Sequence, residues 1–298
     1  MSQGLDFISG KAGASVTGLP DWTLDPAVTS DRQGGTLLLW DCQKSFDALA
    51  SIPANGAQVR NLMAAQAAAL TGGAEADQHA YVEKVITAGA DVSLALGRSA
   101  KGGLVVAPSQ LHHVLGDHCV IRPSASQQQW LFDHIPGATV FLTMWCTLLR
   151  AQVPVTQAMS PLHISSLPSG LTNVVMHSGN LTPQQAAKSS VYPSAPVAVG
   201  VPALLQMSAS VWRGVKPLVA NQRVALGGAG CFDAWNSFNQ NKSPALVIYR
   251  VQAEVLSVSG RTHEEVAALN QDYFNTCFGE GGRFAGDNWA SLITNLIP

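Results

Sequence analysis

The stretch from Ala245 to Phe278 limits the fold more than any other part of this chain. Ala245 to Val258 contains no glycine, proline or asparagine and starts apolar on both faces. It then alternates, with Arg250, Gln252 and Glu254 facing one way and Val251, Ala253 and Val255 the other. This pattern predicts a long strand whose first half lies inside a sheet and whose second half has a polar face. Ser259 and Gly260 break it. Thr262 stands three residues before Glu265, the spacing at which each side chain satisfies a free backbone N–H at a helix start. Val266, Leu269, Tyr273 and Cys277 then form an apolar stripe that must lie on something, and Gly279 ends the helix.

Upstream, short apolar runs separated by Gly, Pro and Asn predict further strands at 36–40, 103–107, 138–149, 173–177 and 203–212. In the third of these, Phe141, Thr143 and Trp145 share one face and Leu142, Met144 and Cys146 the other, so both sides are apolar and the strand is expected to be central. Ser208 and Ser210 alternate with Ala209 and Val211, as in a strand with one wet face. Residues 124–135 predict a helix capped by Ser124, with Trp130, Leu131 and His134 on one side and Pro136 and Gly137 as the stop. Asn55 and Gly56 signal a turn. From Val59 to Leu70 the apolar spacing fits a helix or a strand equally. Many short strands and few helical periods predict a mainly β protein, a sandwich or barrel.

Composition narrows the function classes. Hydrophobic residues make up 47% of the 298, enough for a sizeable core, while charged residues make up only 12%, about half the usual share of roughly 25%. A surface so poor in charge suits a protein partly covered by other subunits. The net charge of −2 offers no electrostatic footprint for nucleic acid or an anionic membrane. No window reaches the ~18 apolar residues of a spanning helix. The first residues lack the basic flank and apolar run of a signal peptide. Cys42, Cys119, Cys146, Cys231 and Cys277 are scattered, odd in number and free of C-x-x-C pairs, which predicts buried thiols rather than a disulfide framework or zinc site. Residues 1–35, rich in Gly, Ser, Thr, Asp and Pro, read as an extended arm that orders against a partner.

The string IYRVQAEVLSVSGRTHEEVAALNQDYF (248–274) resembles the C-terminal strand and helix of concanavalin A-like (laminin G-like) jelly-roll domains. Leu37 to Asp41 and Asn55 to Leu62 echo the opening of that family, and the tail from Gly281 to Asp287 is similar to that of tailed-bacteriophage virion proteins carrying the fold. The resemblance implies an antiparallel jelly-roll sandwich over 36–290 with a C-terminal helix, preceded by an attachment arm at 1–35 and followed by a tail at 291–298. Residues 36–90 could instead form a separate attachment region. It implies a non-enzymatic tail- or fibre-associated virion protein, made in the host cytoplasm and assembled as a homo-oligomer. The arm would hold other virion proteins, and the loops are candidates for contact with host-surface glycan. The alternatives are a free-standing carbohydrate-binding module and a polysaccharide-degrading glycosidase of the same fold.

The residues give little support to catalysis. Glucanases of that superfamily set their carboxylates as E-x-D-x-x-E, which is absent here; Glu254 is alone on its strand, and Glu264 and Glu265 fit a helix start. His112, His113 and His118 cluster around Asp117, a possible ligand set, but their loop has no register that would converge them. Asp233, Asn236, Asn239 and Asn241 are oxygen-rich yet too sparse in carboxylate for a hard cation. Ser165 and Ser178 lie near His163 and His177 without a nucleophile elbow or an acid, and Lys101 with Gly102 and Gly103 lacks the context of a phosphate loop. No catalytic residue, metal ligand or cofactor is therefore assigned. Sugar faces are apolar and sugar hydroxyls need partners, so aromatics interleaved with amides are the candidate binding residues: Trp235, Asn236, Phe238 and Asn239.

Overall fold

The computed structural model describes residues 25–31, 33–45, 52, 54–87, 94–111, 117–134, 137–151, 162–166, 175–176, 190–191, 197–209, 222–230 and 244–289. The chain is mainly β, with antiparallel sheets and a few helices, an arrangement consistent with a β-sandwich.

The largest sheet is built around two long strands, β7 (Val140–Arg150) and β14 (Ala245–Val255), antiparallel along their whole length. Outside β7 lie β11 (Pro202–Ala209) and then β10 (Ser190–Val191). The other edge of β14 is divided. Its first half pairs with β5 (Leu104–Pro108), which carries β4 (Leu94–Arg98) beyond it; its second half pairs with β1 (Thr36–Asp41). A register shift between Ile248 and Arg250 marks the change of partner and sets Tyr249 beside Arg250 on the same face. Every residue of β14 is buried.

A second sheet pairs β2 (Gln58–Val59), β3 (Ala80–Val85), β6 (His118–Arg122) and β13 (Gly228–Gly230). A third pairs β9 (Val175–Met176), β8 (His163–Ser166) and β12 (Gln222–Ala225). Val82, Cys119 and Ile121 of the second sheet and Ile164 and Val224 of the third share one apolar core with Leu142, Met144, Cys146 and Val251 of the first. Burying these groups on both sides of one layer is the main stabilising term, at roughly 25 cal/mol per Å² of apolar surface removed from water. Gly227 lies directly over Val251 and Ile248.

The opposite face of the large sheet is covered by the C-terminal helix. A helical turn, α4 (Leu256–Ser259), leads from β14 into α5 (His263–Phe278), whose start has the expected capping box: the Glu265 N–H donates to Thr262 Oγ1 at 3.2 Å, and the Thr262 N–H donates to Glu265 Oε2 at 2.7 Å. The buried stripe is Val266, Asn270, Phe274 and Cys277, rotated slightly from the expected one and carrying an amide at its centre. Gly35, at the entry to β1, has no room for a Cβ, which would sit 2.6 Å from that of Ser259. Only glycine lets the chain pass there.

The ambiguous stretch is shared between both states: Val59 belongs to β2, and α2 (Ala64–Thr71) follows, ended by Gly72 at φ +74°. Helix α3 (Ala125–His134) forms as expected, but Gln127, Leu131 and Phe132 are its buried residues, while Trp130 stacks on a more exposed His134. Asn61 and Gln127 close the free edge of β1. Both donate to the Leu37 carbonyl, and Asn61 Oδ1 accepts from Leu39 N–H, so amide side chains stand where another strand would otherwise pair.

The expected arm is partly tied down. Residues 26–30 form α1 (Pro26–Ser30), and Asp31 accepts hydrogen bonds from the N–H groups of Gly34, Gly35 and Thr36. Extended geometry is therefore corrected for 25–31; residues 1–24 lie outside the described residues.

Candidate functional site

Beneath α5 the sheet presents polar groups. Arg250, Gln252 and Glu254 share the polar face of the strand, and each is fully buried. A charge taken from water at such a position needs a partner, and each group has one from a different element. Arg250 donates through both terminal nitrogens to Asp25, at 2.9 Å for Nη2 to Oδ1. Its guanidinium also stacks over Trp145 (5.0 Å) and Tyr273 (5.4 Å). Gln252 accepts from Asn270 at 3.1 Å and donates to Glu254 at 3.0 Å. Glu254 receives both Nε and Nη2 of Arg261, the former at 2.8 Å.

The network reaches the surface through a second arginine. Asp41, at the end of β1, lies 3.9 Å from Arg250 and is held end-on by the two terminal nitrogens of Arg283, at 2.8 and 2.5 Å. Burial alone would raise the Asp41 carboxyl, but the hydrogen bonds and charge of Arg283, the charge of Arg250 and the Gln43 N–H together hold it below its ordinary range. Arg283 is correspondingly fixed as a cation, because Asp41 more than offsets its own burial. Its Nε donates to Cys277 Sγ at 3.3 Å, and its guanidinium lies 4.3 Å from the ring of Phe284. Burial, and then a 2.7 Å hydrogen bond to Asp287, push the nearby Tyr249 hydroxyl up, so it stays a donor.

Arg283, Tyr273 and Cys277 form the floor of a cleft of about 720 Å³ between Pro26 and the C-terminal half of α5, with Asp272 and Glu280 on its rim. Because Arg283 is neutralised by Asp41, the rim carboxylates leave this cleft net negative. The buried charges within are matched pairs. A glycosidase needs one carboxyl kept protonated and one free to attack or activate water, whereas Asp25, Asp41 and Glu254 are each saturated by an arginine.

Other sequence candidates divide between described residues and the rest. Trp235, Asn236, Phe238 and Asn239 lie outside the described residues, as do Asp233, Asn241, His112, His113, His177 and Ser178. His118 Nε2 lies 2.7 Å from Glu83, which also binds Arg122 across the β3–β6 pair. Burial would raise Glu83, but His118 and Arg122 hold it low. Asp117 accepts from the N–H and hydroxyl of Thr87. No grouping of three or more His, Cys, Asp or Glu suited to a metal ion occurs among the described residues. Lys101 and Gly102 form the turn of the β4–β5 hairpin, where Gly103 N–H donates to Ser99 Oγ. Cys42, Cys119, Cys146 and Cys277 are free and buried; burial lifts the Cys119 thiol to about 12 and that of Cys146 further. No helix among the described residues is long and apolar enough to cross a membrane.

Sequence reasoning missed the partners of Arg250. Asp25 is 225 positions away and Asp41 is 242 from Arg283, separations at which no local pattern operates. One signal was available: Asn270, four residues after Val266 and four before Phe274, puts an amide in the helix stripe opposite Gln252.

No protein-family model and no curated protein matches this chain. Among solved structures, it is similar to a Trypanosoma rangeli sialidase in complex with sialic acid, at 11% identity and a TM-score of 0.27 over 80% of this chain. The match spans a third (33%) of that structure's length, and a likeness this slight carries neither fold nor activity across.

Proposed function

We propose that this chain is a non-enzymatic structural protein of a tailed-bacteriophage virion, associated with the tail or its fibres and assembled in several copies. In this reading its sandwich is a jelly roll, residues 1–35 join it to other virion proteins, and the loop with Trp235, Asn236, Phe238 and Asn239 contacts host-surface glycan. The sequence resemblance at 248–274 suggests the family. The observation that carries the structural role is the fully buried Asp25–Arg250 pair. It fastens the base of the N-terminal segment to β14, the strand bonded to neighbours along both edges. Tension applied through residues 1–24 would pass directly into the centre of the sheet. The saturation of Asp25, Asp41 and Glu254 by arginines favours a scaffold over a hydrolase.

Light scattering on the purified full chain over a range of concentrations tests the assembly. A fixed oligomer or a polymer is expected; a monomer at every concentration overturns the proposal.

A further inference from the structure

Charge is divided unevenly along this chain. Between Asp133 and Asp233 no aspartate or glutamate occurs, while the same stretch carries Arg150, Lys188, Arg213, Lys216 and Arg223. The whole chain is nevertheless net −2, so the remainder is correspondingly acidic. The acid-free stretch builds β7 to β12 and so supplies the β11–β10 edge of the large sheet. Where the chain enters β11, Ala198 to Val201 form a tight turn. The Val201 N–H donates to the Ala198 carbonyl at 3.3 Å, and Gly200 takes φ +80°. The turn is braced against β7, where the Leu148 carbonyl accepts from the Gly200 N–H at 2.8 Å and Leu148 bridges Val199. Arg150 stands two residues farther along that strand. Val199 is 55% exposed and Val201 53%. Two outward valines on a braced turn form an apolar knob in a positively charged stretch.

The cleft between Pro26 and α5 has the opposite character. Tyr273 and Cys277 give it an apolar bed, and the rim residues Asp272 and Glu280 are both exposed. Neither rim side chain has an ion-pair partner among the described residues. The last turn of α5 carries no basic residue, so the negative end of the helix dipole adds to theirs. A volume of about 720 Å³ lies within the roughly 300–1,000 Å³ of cavities that enclose a guest. An apolar bed inside an acidic rim complements an apolar knob in a positive surround. Within one molecule the two are kept apart. The knob is braced to β7 on the β11 side, whereas Asp41, which grips Arg283 in the cleft floor, ends β1 on the far edge of β14. A second copy can bring them together.

We propose that copies of this chain associate head to tail, the Ala198–Val201 turn of one seated in the cleft between Pro26 and α5 of the next. This rests on the reading of the chain as a multi-copy assembly and names the contact that builds it. Every copy so joined still offers one free knob or one free cleft, so the contact repeats into a ring or a filament. Two double variants of the full chain test it, all four positions being exposed. Val199→Asp with Val201→Asp spoils the knob, and Asp272→Lys with Glu280→Lys reverses the rim. Thermal melts matching that of the natural chain establish that each variant is folded. Sedimentation of the natural chain, each variant alone and an equal mixture of the two then reads the association. Each variant alone should associate about a hundredfold more weakly, because like charges are brought together at the contact. The mixture should associate again, since each variant keeps the complement of what the other lost. Either variant assembling alone as the natural chain does overturns the proposal and leaves a multi-copy assembly standing. So does a mixture that stays monomeric. A natural chain that is itself monomeric overturns both readings.

Discussion

The two faces of β14 are equally dry and chemically opposite. Toward the second sheet it presents Ile248, Val251 and Ala253; toward α5 it presents Arg250, Gln252 and Glu254, and all six are essentially without exposure. The apolar face accepts any close-packed neighbour of suitable volume, because hydrophobic attraction has no direction. The polar face accepts only what completes its hydrogen bonds. Asp25 comes from the residue before α1, Asn270 from the middle of α5 and Arg261 from the link between α4 and α5. A shift of α5 by one turn would take Asn270 from Gln252 and Arg261 from Glu254, leaving the two strand residues with only each other. One face thus supplies cohesion, and the other fixes which elements lie above the sheet and at what register.

The sharpest way to break this contrast is at Arg250. Arg250→Met should destabilise the fold by about 3–5 kcal/mol, because Asp25 is left as an uncompensated buried charge. Adding Asp25→Leu to that variant should recover much of the loss, and guanidinium denaturation of both would show it. Failure of the double variant to recover would mean that the pair contributes net stability as well as specificity. On the other face, Val251→Ala should cost roughly 2 kcal/mol, the loss of two methylenes plus a partial cavity, and no second substitution at a distant position should rescue it. Smaller again is Thr262→Ala, which removes half of the capping box for about 1 kcal/mol. A thermal melt should register that change as a modest drop in Tm.

The last effect is fully present at neutral pH and becomes pH-dependent only in acid. Asp41 has a folded pKa held below its ordinary 3.8, so its ion pairing with Arg283 stabilises the protein fully above that value. The contribution is lost as pH falls from 3.8 through the lowered folded pKa. Denaturation midpoints measured across this acid range should fall less steeply in Asp41→Asn than in the natural chain. Equal slopes would remove Asp41 from the account.

The strand, the capping box and the helix after it were legible because every residue that specifies them lies within a few positions of its partner. The same holds for α3, the β7 core strand and the turn at Gly56. What was not legible is how α5 sits on β14. Alternation in a strand reads as one wet face, and Ser208 was read that way; burial of the polar face of β14 depends on a helix whose stripe carries Asn270 among apolar residues. The cleft by Arg283 was equally hidden. It is assembled from the ends of elements far apart in sequence, and only the fold brings them to one place.

The divided edge of β14 also has a consequence in time. As the chain is made, β1, β5 and β7 all emerge before the strand that joins them, and β1 waits through most of the length of the protein for Arg250 to Glu254 to appear. Until then three apolar strands lack their central neighbour, and their open edges are available to other chains. A ribosome stalled before Ala245 would carry a polypeptide with most of its core residues and no means of closing its main sheet.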